Sequence, residues 1–115
     1  MTSIAPVKSF TLDTAIQFFA AAADKYAECA AKEMELEANR HAVKSEAISR
    51  IMALDDPQKD GKKYSATAAA ALVETDAAYK FHLQDMSEAA KATIVARTQW
   101  YSALAIVNKL SEGKP

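Results

Sequence analysis

Apolar positions recur at three- and four-residue intervals along most of the chain. The first series runs through Leu12, Ala15, Phe19, Ala22, Tyr26, Cys29, Glu33, Leu36, Arg40, Val43, Ala47, Ile51 and Leu54. That spacing holds one face of a helix continuous over many turns. No glycine or proline falls between Pro6 and Pro57, so no residue in the series interrupts helical hydrogen bonding. The pattern predicts a helix over 11–54, with Thr11 as its N-cap and Asp13 at the positive end of its dipole. Asp55-Asp56-Pro57 ends it, because the residue before a proline avoids the helical region.

A second series runs through Tyr79, Leu83, Met86, Ala90, Thr93, Arg97, Trp100, Leu104 and Val107, and predicts a helix over 77–111 with Gly113 suited to its C-terminal cap. Between the two lies a tip, 55–76. Lys59-Asp60-Gly61-Lys62 is turn chemistry, with Gly61 free to take a positive φ. Ser65 can cap a short helix over 66–73, and Thr75-Asp76 offers the N-cap of the second long helix. Residues 1–10 form an N-terminal segment carrying Ile4, Val7 and Phe10. Sustained two-residue alternation, the mark of a strand, is missing.

The expected fold is therefore all-α and a single domain, 1–115: an antiparallel hairpin of two long, coiled-coil-like helices with a short helix at the tip. Setting Leu54 near Tyr79 places Trp100 beside Glu33 and Ala30, brings Arg97 within reach of Glu33, and sets His82 opposite residue 51. One hairpin contact leaves apolar surface unused. Ala20, Ala23, Ala27, Ala30, Met34 and Ala38 make a second stripe on the first helix, and Val95 and Ile106 face away from Trp100 on the second. Oligomerisation into a bundle, or docking on another protein, would cover them. Ala20, Ala23, Ala27, Met34, Val95 and Ile106 are accordingly the expected partner-binding residues, the partner being a second copy (homodimer or higher) or another protein.

Composition sharpens this picture. Alanine supplies 26 of 115 residues; it has the best helix propensity and lets helices approach closely. With 14 basic and 15 acidic residues the net charge is −1, so no bulk field draws the chain to nucleic acid or membrane. Cys29 is the single cysteine, which excludes an internal disulfide, fits a reducing cytoplasm and reads as a small core residue. Ala15–Ala23 resembles a short signal-peptide core, but Asp13 before it and Gln17 within it argue against export. No run reaches the ~18 apolar residues of a membrane span.

Two glycines exclude a dinucleotide fingerprint or phosphate loop. Asp56, Asp60 and Gly61 match part of a calcium loop, but Gln58 and Thr67 stand where ligands belong. His41 and His82 lack the Glu-x-x-His spacing of a di-iron bundle, and Cys29 lies too far along the helix from His41 to be activated by it. No enzyme, metal or cofactor is expected. Lys59, Lys62, Lys63 and Tyr64, with Lys80 nearby, form a candidate single-strand nucleic-acid tip. Asp55, Asp56 and Asp60 neutralise the same loop, so a solvated turn with Tyr64 packed under the short helix is the favoured reading. Glu28–Lys32, Glu46–Arg50 and Glu37–His41 have the spacing of surface pairs on a helix, and Phe18 and Phe19 read as core.

The stretch Gly61-Lys62-Lys63-Tyr64-Ser65-Ala66-Thr67-Ala68-Ala69, followed by Asp76-Ala77-Ala78-Tyr79, resembles a group of small bacteriophage and prophage proteins of unknown role. Those share Gly-Lys-x-Tyr-Ser-x-Thr-Ala-Ala and then Asp-x-x-Tyr opening a long alanine-rich helix. The chain departs at Lys63 and Ala77, where the group often has proline. The resemblance implies a small phage accessory protein, encoded near replication or recombination genes, and carries over no catalytic residue.

Overall fold

The computed structural model describes residues 11–112. The N-terminal segment with Ile4, Val7 and Phe10, and the Gly113 cap, lie outside the described residues. Helix α1 spans Leu12–Met52, α2 spans Ala66–Ala71, a 3-10 turn spans Val73–Thr75, and α3 spans Ala77–Glu112. Among the described residues there is no strand, only an isolated bridge between Asp55 and Lys63. The protein is all-α.

Each long helix begins at a capping side chain. The Thr14 amide donates to the Thr11 hydroxyl at 3.2 Å, and the Tyr79 amide donates to the Asp76 carboxylate at 2.9 Å. Ser65 does the same for α2, accepting from the Ala68 amide at 3.1 Å. Each bond satisfies one of the orphan amides of a helix start. The short helix departs from the expected 66–73: it stops at Ala71, and Val73 opens the 3-10 turn. The Leu72 amide is shared between the Ala68 and Ala69 carbonyls, the bifurcation by which α-helices tighten at their ends.

Helix α1 ends at Met52, and Leu54 is not part of its seam but 57% exposed. From Leu54 the chain forms a turn of its own. The Tyr64 amide donates to the Leu54 carbonyl at 3.1 Å and the Asp56 amide to the Lys62 carbonyl at 2.9 Å. Gly61 takes φ 67°, a left-handed conformation that costs a side-chain-bearing residue about 1 kcal/mol.

The chain divides into two compact units, each drawing on both long helices. The first contains the described residues up to Ala31 and from Ala90. Here Trp100 is half-buried, its ring 5.8 Å from Phe19 and 5.8 Å from Tyr26 between centroids. Among the described residues of this unit the buried apolar ones are Ala15, Ala96 and Ala103. Phe19 joins the aromatic group, whereas Phe18 is exposed.

The second unit is Lys32–Ala89. Its core is Ala47, Val73 and Tyr79, with Val43, Ile48 and Leu83 packed against them. Tyr79 therefore meets the Val43–Ala47 level of α1 rather than Leu54, and His82 contacts the Leu36 carbonyl at 2.8 Å rather than residue 51. The expected register is displaced by roughly two turns at Tyr79 and roughly four at His82. Val73 of the 3-10 turn packs with Tyr79 and Ala47, in place of the contact with Leu54 that was expected. Because Leu36 offers an acceptor, the His82 Nε2 carries the proton. Arg97 is exposed and Glu33 half-buried, in different units.

Arg50 in the last turn of α1 closes on Asp76 at the start of α3. Its Nε donates to Oδ1 at 3.0 Å and its Nη2 to Oδ2 at 2.7 Å. Both guanidinium donors go to Asp76 in fork geometry, while the sequence-local Glu46 acts on Arg50 through its charge alone. Hydrogen bonding from Arg50, then from the Tyr79 amide, holds the Asp76 carboxyl below the usual carboxylate range. The same bond to Asp76 raises the Arg50 guanidinium. A carboxylate depressed in the folded state stabilises above its unfolded pKa, and the contribution is lost as pH falls through the folded value. Stability should be flat at neutral pH and decline below about pH 4. The variant Asp76→Asn should be less stable than the parent at pH 7 and lose less on acidification; parallel pH profiles would show that the pair contributes nothing.

Candidate functional site

A shallow apolar groove of about 280 Å³ lies in the first unit, lined by Ala23, Tyr26, Ala27, Ala30 and Trp100. Ala23, Tyr26, Ala27 and Ala30 come to it from α1 and Trp100 from α3. The Tyr101 ring stands 4.9 Å from that of Trp100 and is itself 56% exposed. Ile94, seven residues before Tyr101 and 53% exposed, shares its face of α3. Ile16, exposed and seven before Ala23, continues the groove side of α1.

The structure brings part of the expected partner surface together. Ala23 and Ala27 line the groove, and exposed Ala20 lies on the same face of α1. Met34 is 71% exposed but belongs to the second unit. Val95 is exposed on a face of α3 different from that of Ile94 and Tyr101, and Ile106 is half-buried. Sequence reasoning missed Tyr101, Ile94 and Ile16, large apolar residues off the seams. Seven-residue spacing on one face was the signal that could have found them. It also missed Phe81, exposed beside a second groove of about 330 Å³ lined by Thr75, Ala77, Lys80 and Gln84.

The candidate nucleic-acid tip is differently arranged. Lys63 Nζ pairs with Asp55 Oδ1 at 2.8 Å across the bridge. Asp56 is buried, and its Oδ1 accepts from the Gln58 amide at 2.9 Å, bracing the turn. Tyr64 is half-buried, lining a groove with Ala68, Ala71 and Leu72 under the short helix. Of the four tip residues, Lys59 and Lys62 are exposed and make no ion pair with the described residues.

Titratable groups elsewhere are dispersed. Glu37 pairs with Arg40 at 3.3 Å, not with His41. Cys29 is a free, half-buried thiol. Among the described residues no cluster of three or more His, Cys, Asp or Glu could hold a metal ion. No helix among them is long and apolar enough to cross a membrane.

Fold and surface together define an all-α protein built on two long helices, with an aromatic-walled alanine groove in one unit. Comparison with protein-family models, with curated proteins and with solved structures finds no match to the chain.

Proposed function

We propose that this is a non-enzymatic interaction protein. Its two long helices act as an antiparallel hairpin that completes a coiled-coil-like bundle with a second copy or another protein, in the cytoplasm. The observation that carries the reading is the groove beside Trp100, flanked by the exposed Ile16, Ile94 and Tyr101. Apolar side chains flanking a helical groove are what helix-in-groove recognition uses. An accessory role of the phage type, as scaffold, replication accessory or inhibitor of a host defence complex, fits such a surface. Light scattering on a sizing column over a range of concentrations tests it: a dimer or larger species is expected, weakened by Tyr101→Ser with Ile94→Ser. A monomer that also fails to retain any protein from its host would defeat the reading.

The alternative is a single-stranded nucleic-acid accessory, favoured only by the exposed Lys59 and Lys62 beside Tyr64. The double change Lys59→Glu and Lys62→Glu should leave affinity for an oligonucleotide as low as before. Tight binding that falls steeply with salt and disappears in this variant would reverse the ranking.

A further inference from the structure

We draw no further inference here: the strongest candidate, the apolar groove beside Trp100 in the first unit with the exposed Ile16, Ile94 and Tyr101 flanking it, carries nothing because nothing in the structure shows what covers it.

Discussion

Replacing Tyr79 by alanine is expected to lower the unfolding free energy by about 3–4 kcal/mol. The ring is 6% exposed and packs with Ala47 and Val73, so it joins three separate elements. Ala47 sits on α1, Val73 on the 3-10 turn and Tyr79 on α3. Removing the ring withdraws apolar contact from all three and leaves a void that rigid helices cannot close. Urea unfolding followed by circular dichroism, at fixed protein concentration, measures the change. The companion variant Tyr79→Phe should cost less than about 1.5 kcal/mol, since it keeps the ring. A Tyr79→Ala loss no larger than that would mean the second unit is held by its helix caps and the Arg50–Asp76 pair instead.

Trp100→Ala is the second large effect, expected at about 2–3 kcal/mol. The indole is half-buried, so the cost falls below that of a wholly enclosed aromatic. Its contacts are specific: Phe19 and Tyr26 each lie at 5.8 Å, with interplanar angles of 28° and 40°. Aromatic pairs in such offset geometry contribute beyond their buried area, by about 0.5–1.5 kcal/mol. A double-mutant cycle of Trp100→Ala with Phe19→Ala should return a coupling of that size. Additive losses would show that the two rings merely share a neighbourhood.

These contacts also mark where sequence reasoning succeeds and where it stops. A three-four spacing found the buried positions Ala15, Ala47, Ile51, Tyr79 and Thr93, because helical periodicity alone decides which residues share a face. The caps at Thr11, Ser65 and Asp76 were equally legible, since each side chain bonds an amide three residues on. Register was not. It depends on how the tip packs, and Tyr79 meets Ala47 and Val73 rather than Leu54. Arg50 has Glu46 one turn away in sequence but bonds Asp76, a contact across 26 residues that no local spacing encodes. At the candidate surface, Ala23 and Ala27 were visible as a stripe. Tyr101 and Ile94 are not in the three-four series that runs through Arg97 and Trp100.

Five of the eight buried apolar residues among those described are alanines: Ala15, Ala47, Ala69, Ala96 and Ala103. This has a consequence at the level of the genetic code. Single-base changes in an alanine codon give serine, threonine, valine, proline, glycine, aspartate or glutamate. Six of those seven are larger than alanine, and glycine, the smaller one, weakens the helix that carries it. A leucine-filled core leaves neighbouring codons that specify other aliphatic residues of similar size. Here the sites that admit the helices to one another have almost no conservative neighbours within one mutation. The tightest positions of the molecule are therefore those from which a drifting sequence has the fewest ways to move.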